Sequence, residues 1–308
     1  MDLNTVAEVR DARERVAWRD GDAWLGGGTY LFSEPQPRLR RLIDLSRTGW
    51  APLRITADGD LEIAGTCTIA QLSRYPKPAG WTAAPLFEQC CRAFLASWKI
   101  WNMATVGGNL CNSLPAGPMI SLAAGLDGTV LLLDQAGGRR RVAVADFVVG
   151  AGRNVLRRGE LLRAVTLPAR ALAARTAFRQ ASLYGLGRSG ALLIGALEPP
   201  LPLEPPLPLE PPLPLGRTAP SGTGTLTITI TAATVRPIQL RFPVPPNAEA
   251  VREAVEHAVA PHEYFDDIHG LPAWRRHMTF RFAEEIRREL TEPAHTGAAY
   301  SHAEEAGR

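Results

Sequence analysis

Two glycine-rich segments constrain this chain more than any other feature. Residues 25–31 read Leu-Gly-Gly-Gly-Thr-Tyr-Leu, and the centre of residues 98–113 reads Thr-Val-Gly-Gly-Asn. Adjacent glycines let a backbone adopt positive φ and approach a ligand closely. Successive exposed N–H groups then form a concave anion site that needs no lysine. Two such segments predict a cofactor with two phosphates, because a mononucleotide would need only one.

Either segment alone is more often a tight turn or a bulge than a ligand site. Neither is a P-loop, because no Gly-Lys-Ser or Gly-Lys-Thr follows, and neither has the spacing of a Rossmann fingerprint. Taken together with their flanks, the two segments favour a binding site over two structural turns.

The two segments also carry a resemblance to a known family. Residues 102–109 resemble the Arg-Asn-x-Ala-Thr-Ile-Gly-Gly-Asn segment of the FAD-binding (medium) subunit of molybdenum hydroxylases, of the carbon monoxide dehydrogenase and xanthine dehydrogenase type. Residues 25–31 are similar to the first glycine segment of those subunits, in the same order and at a matching separation. Weaker landmarks stand at residues 115–117, 145–147, 160–168 and 271–278. The resemblance covers about residues 1–292.

The resemblance implies an α+β fold. Two subdomains of the PCMH-type FAD-binding fold would clamp an extended FAD, and a C-terminal α+β domain of the carbon monoxide dehydrogenase flavoprotein type would follow. The corresponding ranges are 1–52, 53–170 and 176–292, with a flexible tail at 293–308. A chain of 308 residues exceeds one ordinary core, which agrees with two or three domains.

The resemblance also implies which residues bind FAD. Backbone N–H groups of both glycine segments would contact the pyrophosphate or the ribityl chain, and the side chains of Thr105 and Asn109 would add hydrogen bonds. Leu162 packs near the flavin or the adenine, or else is plain strand core. Arg179 takes the place of a lysine frequent in the third domain, or else is a surface residue. The expected cofactor-binding residues are Gly26, Gly27, Gly28, Thr29, Tyr30, Thr105, Val106, Gly107, Gly108, Asn109, Asn112, Leu162 and Arg179, with no catalytic and no metal-binding residue.

The chain departs from the family pattern at Pro118, where the family often has an aspartate suited to a ribose hydroxyl. Asn112 or Ser113 then supplies that contact, or FAD binds with one contact fewer. Tyr184 is either a ring stacked on the isoalloxazine or an ordinary packed tyrosine.

In this family a separate large subunit holds the molybdenum cofactor, and a small subunit carries two 2Fe-2S clusters. The resemblance therefore implies a FAD-binding subunit that passes electrons from those clusters through FAD to an external acceptor, which is NAD or another oxidant. Two alternatives stay open: a stand-alone FAD-dependent oxidoreductase of the same fold, and a flavin-free scaffold protein.

Charge and cysteine content argue against several other classes of function. The net charge of +3 is too small to predict nucleic-acid binding or an anionic membrane surface. No apolar run is long enough for a membrane span, and the first residues do not form an export signal. The four cysteines form no Cys-x-x-Cys pair, which predicts neither a zinc nor an iron–sulfur site, and their scarcity suits the cytoplasm. Cys111 is either a buried thiol or a neighbour of the cofactor.

The spacing of apolar residues predicts the elements of secondary structure. Helices are expected at 6–16, 69–75, 86–96, 120–126, 248–258 and 274–290. Strands are expected at 23–25, 41–45, 54–56, 61–64, 130–134, 141–144, 160–167, 178–182, 190–197 and 225–232. The first segment, ending near residue 52, would form a small β-α-β unit, and the alternation at 225–232 predicts a half-buried strand.

Residues 198–215 are three copies of Glu-Pro-Pro-Leu-Pro-Leu. Proline at half of these positions predicts a polyproline II excursion. It is either a ligand for an SH3-like groove or a repeat expansion in a hairpin loop. The second interpretation is favoured.

Overall fold

The computed structural model describes residues 4–14, 16–199 and 224–292. The strands in these ranges are β1 Glu8–Asp11, β2 Asp22–Leu25, β3 Arg41–Asp44, β4 Leu53–Ile55, β5 Leu61–Ala64, β6 Thr129–Leu133, β7 Arg139–Ala143, β8 Val148–Gly150, β9 Arg153–Asn154, β10 Leu161–Leu167, β11 Arg175–Ala181, β12 Ala191–Leu197, β13 Leu226–Thr231 and β14 Ile238–Phe242. The α-helices are α1 Ile69–Arg74, α2 Ala84–Ala93, α3 Trp98–Trp101, α4 Val106–Asn112, α5 Pro118–Gly125, α6 Val144–Phe147, α7 Ala169–Leu172, α8 Ala248–Ala258 and α9 Pro272–Thr291. A short 3-10 helix, Pro261–Glu263, follows α8. The fold is α+β, as expected.

The first sheet is three-stranded and parallel, in the order β1-β3-β2. The helix predicted over 6–16 is wrong, because β1 pairs with β3 over its whole length and the backbone bonds of that pairing outweigh the helical spacing. In the described residues up to 52, the expected β-α-β unit therefore contains three strands and no helix. Arg41 bonds Asp22 with Nη2 2.6 Å from Oδ2, which ties β3 to β2 and holds the pKa of Asp22 below its ordinary value.

The second sheet has five antiparallel strands in the order β4-β5-β10-β6-β7. Helices α1, α2 and α5 contribute to the core beside it, and that core includes Leu61, Leu86, Phe87, Leu122 and Val165. The strands and helices predicted between residues 53 and 167 are confirmed, with ends that differ by a few residues. The sequence patterns missed α3, α4, α6, β8 and β9, and the second glycine segment lies at the start of α4.

The third sheet is an antiparallel meander, β11-β12-β13-β14. The expectation of a half-buried β13 is wrong, because all six of its residues are buried. Ile228 and Ile230 pack in the core with residues of α8 and α9. On the opposite face, Thr231 Oγ1 lies 2.7 Å from Ser121 Oγ of α5. The alternating threonines therefore face a second protein layer instead of water.

Each main sheet lies within one of the three ranges expected as domains, although the core runs across the second boundary. Leu192 and Ile194 of β12 belong to the core of the second sheet. The division at residues 52 and 170–176 stays a prediction, and the tail at 293–308 lies outside the described residues.

Asp127 links the second and third sheets. Its carboxylate accepts a hydrogen bond of 2.5 Å from Arg241 of β14 and another from Arg170 of α7, which also bonds Glu198. Burial acts to raise the pKa of Asp127, but the two arginine hydrogen bonds outweigh it, so that the pKa lies below its ordinary value.

We expect Asp127→Asn to lower the free energy of unfolding at neutral pH by about 1 kcal/mol, since the arginines that it pairs are half exposed. Asparagine tolerates the positive φ of 52° at this position, so the backbone is not strained. A depressed pKa stabilises the fold above the unfolded-state pKa, and the contribution is lost as pH falls through the folded-state pKa. Urea unfolding should therefore show the difference between variant and wild type shrinking below about pH 4. A difference that does not depend on pH would contradict this role.

The proline repeat connects two neighbouring strands. Leu197 at the end of β12 lies opposite Leu226 at the start of β13, and the Glu198 N–H donates to Thr225 O at 3.0 Å. The strand pair predicted on either side of the repeat is confirmed. The repeat from residue 200 onward lies outside the described residues.

Replacing residues 200–223 by an Asn-Gly turn is expected to preserve the fold. The strand ladder and the Glu198–Arg170 pair stay intact, and shortening the loop changes its closure entropy by about 1–2 kcal/mol in the stabilising direction. Thermal unfolding should give a Tm equal to or slightly above that of the full chain. A clear fall in Tm would show that the repeat contributes contacts to the folded protein.

Candidate functional site

A cavity of about 310 Å³ lies between the first and second sheets, a size typical of ligand sites. Its walls come from the loop after β2, from α4 with the residues before it, and from the start of β10. It is lined by Trp24, Gly26, Gly27, Gly28, Thr29, Tyr30, Leu31, Leu45, Gly65, Phe94, Ala104, Thr105, Gly107, Gly108, Asn109, Cys111, Asn112, Leu156, Glu160, Leu161 and Leu162. The structure therefore brings the two glycine segments together at one site.

The loop of residues 26–31 provides backbone donors at the cavity. In the described part of the chain, none of the N–H groups of these residues donates to a protein acceptor. Gly28 has the positive φ expected of a glycine turn, 71°, and its carbonyl accepts from the Phe32 N–H at 2.8 Å. A run of N–H groups without protein partners at a cavity wall is suited to an anion, because successive N–H groups form a concave anion-binding surface.

The second glycine segment has a different structure from the one expected. It is the start of α4, and neither Gly107 nor Gly108 has positive φ. Val106 N–H donates to Cys67 O at 2.8 Å, and Gly107 N–H donates to Gly65 O at 3.0 Å. The N–H groups of Gly108 and Asn109 donate to Thr105, to its hydroxyl and its carbonyl respectively. The expectation that the N–H groups of Val106, Gly107, Gly108 and Asn109 are free for phosphate is therefore wrong, since protein acceptors already use them. The N–H of Thr105 donates to no acceptor among the described residues.

Close backbone packing explains the glycines on both sides of the cavity. A Cβ at Gly27 would lie 1.6 Å from Met103 O, and one at Gly107 would lie 2.6 Å from Gly65 O. A Cβ at Gly26 would lie 3.1 Å from Thr105 Oγ1. These glycines let the cavity walls meet, in addition to any contact that they make with a ligand.

Polar side chains complete the cavity wall. Asn109 Oδ1 accepts from Met119 N–H at 3.0 Å, which leaves its amide nitrogen available. The side chain of Asn112 has no hydrogen-bond partner among the described residues and lines the cavity. Ser113 is buried, donates to Leu110 O at 2.9 Å and does not line the cavity. Of the two substitutes expected for the aspartate missing at Pro118, Asn112 lines the cavity and Ser113 does not, and the contact with a ribose hydroxyl stays a prediction.

Two expected cofactor-binding residues lie outside the cavity. Val106 is buried in the core of the second sheet. Arg179 lies on β11, where Nε is 2.7 Å from Glu285 Oε2 and Nη2 is 2.6 Å from Glu289 Oε2 of α9. Its guanidinium is paired with these carboxylates and lies outside the cavity, and a role in place of the family lysine stays a prediction. Tyr184, between β11 and β12, is exposed and also outside the cavity.

Sequence reasoning missed Trp24, Phe94 and Glu160 as cavity residues. Glu160 is bonded by Arg140, with Nη2 2.6 Å from Oε2, and this bond holds the pKa of the carboxylate below its ordinary value. Trp24 directly precedes the first glycine segment, and an aromatic residue in that position was the one available signal.

Cys111 lies in the cavity wall, and burial raises the pKa of its thiol to about 12. All four cysteines are free thiols. No group of three His, Cys, Asp or Glu side chains in the described ranges could hold a metal ion.

None of the described helices combines the length and the apolar character needed to cross a membrane.

Comparison with known proteins gives a family match and a curated relative. The family model for the FAD binding domain in molybdopterin dehydrogenase matches residues 3–170, more than half of the chain. The nicotinate dehydrogenase FAD-subunit of Eubacterium barkeri is 28% identical over 151 residues, which are 47% of this chain and 50% of that protein. The chain therefore matches about half the length of this curated relative.

Solved structures match over nearly the whole chain. A chain of the cyanide-inactivated Cu,Mo-CO dehydrogenase gives a TM-score of 0.72 at 21% identity, covering 94% of this chain and 99% of that one. Quinoline 2-oxidoreductase from Pseudomonas putida 86 gives 0.70 at 20% identity, covering 94% and 98%. Carbon monoxide dehydrogenase from Hydrogenophaga pseudoflava gives 0.69 at 18% identity, covering 92% and 97%. At these identities the likeness establishes the fold.

Proposed function

Because the chain belongs to the family of FAD-binding domains in molybdopterin dehydrogenases, we propose that it is the FAD-binding subunit of a multi-subunit molybdenum-dependent hydroxylase or dehydrogenase. FAD is its cofactor, as the family match and the curated FAD subunit indicate. In such a complex, electrons would pass from iron–sulfur clusters through FAD to an external acceptor.

The run of unpartnered N–H groups at residues 26–31 is the observation that supports the proposal most directly. Among the described residues, no lysine or arginine lines the cavity, and the one charged lining residue is Glu160. Backbone donors are then the chemistry available for a pyrophosphate, and they fit it without a charged partner.

The residues that line the cavity would position the cofactor. Gly26, Gly27, Gly28, Thr29 and Tyr30 would hold the pyrophosphate through their N–H groups. The hydroxyl proton of Thr105 and the amides of Asn109 and Asn112 would bind ribose or ribityl hydroxyls. Leu162 is buried at the cavity wall and would pack on a ring. When bound, FAD supplies the electron-transfer chemistry, and the protein supplies binding, orientation and electrostatics.

The partners in this proposal are a large subunit that holds the molybdenum cofactor and a small subunit that carries 2Fe-2S clusters. The structural relatives named above include two carbon monoxide dehydrogenases, one of them a Cu,Mo enzyme. NAD or another oxidant would collect the electrons, and a cytoplasmic location is the expected one.

Affinity purification of the tagged chain from its native host tests this proposal. We expect the chain to co-purify with two other subunits, and we expect molybdenum and iron in the complex by metal analysis. Recovery of the chain alone, loaded with FAD and reducible by a small molecule, would favour the stand-alone oxidoreductase. Recovery of the chain without FAD would favour the scaffold protein.

A further inference from the structure

Trp24 has a fixed orientation at the cavity wall. Its indole Nε1 donates to Glu160 O at 3.0 Å, which joins β2 to the segment leading into β10. Its ring centroid lies 5.2 Å from that of Trp18, at an interplanar angle of 39°. Trp18 is itself packed closely on Gly159, where a Cβ would lie 3.2 Å from the Trp18 ring. An indole that is held in place before a ligand arrives loses little entropy on binding.

The indole of Trp24 is also close along the chain to the loop of residues 26–31. Trp24 precedes Gly26, the first residue with an unpartnered N–H group, by two positions. Two residues of extended chain span about 7 Å. A ring stacked on Trp24 could therefore be joined through one sugar to a phosphate on residues 26–30.

The two sides of the cavity differ in exposure. Glu160, whose carbonyl accepts from Trp24, is 6% exposed, and Leu45, which also lines the cavity, is 6% exposed. Tyr30 is 40% exposed, and Met103, next to the cavity residue Ala104, is 55% exposed. An isoalloxazine must be reached by electron donors and acceptors, whereas an adenine can be enclosed.

We propose that Trp24 is the face on which the adenine of FAD stacks, so that β2 and the loop after it bind the adenine and the pyrophosphate together. This assignment rests on the proposed function, because it concerns the same cavity. Base–aromatic stacking of this kind is sensitive to removal of the ring and tolerant of exchange for another aromatic ring.

The experiment compares FAD and ADP, because ADP carries the adenine and both phosphates without the flavin. FAD affinity is measured on apo-protein, and ADP affinity is measured by displacement of FAD. Trp24→Leu is expected to weaken both by about tenfold or more, while Trp24→Phe stays within a few fold of wild type. Trp98→Leu is the matched control, since Trp98 is exposed and does not line the cavity.

The outcomes separate this assignment from the function on which it rests. Wild-type protein that binds no FAD would contradict the proposed function. Wild-type protein that binds FAD while Trp24→Leu binds FAD and ADP equally well would overturn the stacking role. Weakened FAD with unchanged ADP, or ADP that does not displace FAD from wild type, would overturn the choice of adenine.

A second measurement covers the case in which Trp24→Leu does not fold. ADP is expected to quench part of the tryptophan fluorescence of the wild type, and Trp24→Phe is expected to remove that part of the quenching. Quenching of the same size in Trp24→Phe would place the adenine away from this indole.

Discussion

Replacing Gly27 by alanine is expected to abolish the retention of FAD through purification. The new Cβ would lie 1.6 Å from Met103 O and 2.5 Å from Met103 C, and both are backbone atoms that no rotamer change can move. The loop after β2 must then separate from the segment before α4, and the two walls of the cavity part. Overpacking strain of a few kcal/mol corresponds to an affinity loss on the order of 100-fold. Titration of apo-protein with FAD measures it.

Gly80→Ala is the matched control for Gly27→Ala. It makes the same chemical change at a glycine with no atoms within 4 Å of the added Cβ. FAD affinity and Tm of this control should equal those of the wild type. Gly27→Ala protein that keeps a full complement of FAD would contradict the close approach of the two loops.

Gly107→Val is expected to destabilise the second sheet and its helices, and to lose FAD as a consequence. A Cβ at Gly107 would lie 2.6 Å from Gly65 O and 2.8 Å from Gly65 Cα, so a branched side chain forces the two backbones apart. The hydrogen bond from Gly107 N–H to Gly65 O, 3.0 Å long, is lost with that movement. We expect the free energy of unfolding to fall by about 3 kcal/mol and Tm to fall by about 6–12 °C. Thermal unfolding of apo-protein measures this without any contribution from the cofactor.

Gly108→Ala, at the next residue, is the control for Gly107→Val. The residue is exposed, and its Cβ would meet the side-chain oxygen of Thr105 at 2.9 Å instead of a backbone atom. Alanine also favours the helix relative to glycine. A small change in Tm for Gly108→Ala beside a large one for Gly107→Val is the expected pair of results. Gly107→Val protein with the wild-type Tm would show that the contact with Gly65 does not constrain the fold.

The sequence predicted the meeting of the two glycine segments but not the reason for every glycine. Three consecutive glycines directly after a strand indicated a loop with accessible N–H groups, and residues 26–31 have that structure. In the second segment, the requirement for Gly107 comes from Gly65, a residue far away in the chain. No local pattern carries information about such a contact, so the segment was interpreted as a ligand turn when it is the start of a helix.

Contacts between residues far apart in the chain also explain the other differences between the predicted and the observed structure. Residues 6–16 have helical spacing, and only pairing with β3 makes a strand of residues 8–11 among them. The alternating threonines of β13 are typical of a strand with one face in water, but α5 covers that face. Arg179 resembles a family lysine by position, and two carboxylates from α9 determine where its guanidinium lies. In each case the deciding partner is more than 25 residues away in the chain.

The flavin content of the purified chain tests the central claim most directly. An absorbance spectrum of the native protein is combined with mass identification of the cofactor released on denaturation. We expect flavin bands, FAD as the released molecule, and an equimolar ratio of FAD to chain. A colourless protein that also takes up no added FAD would contradict the assignment of this cavity as a FAD site.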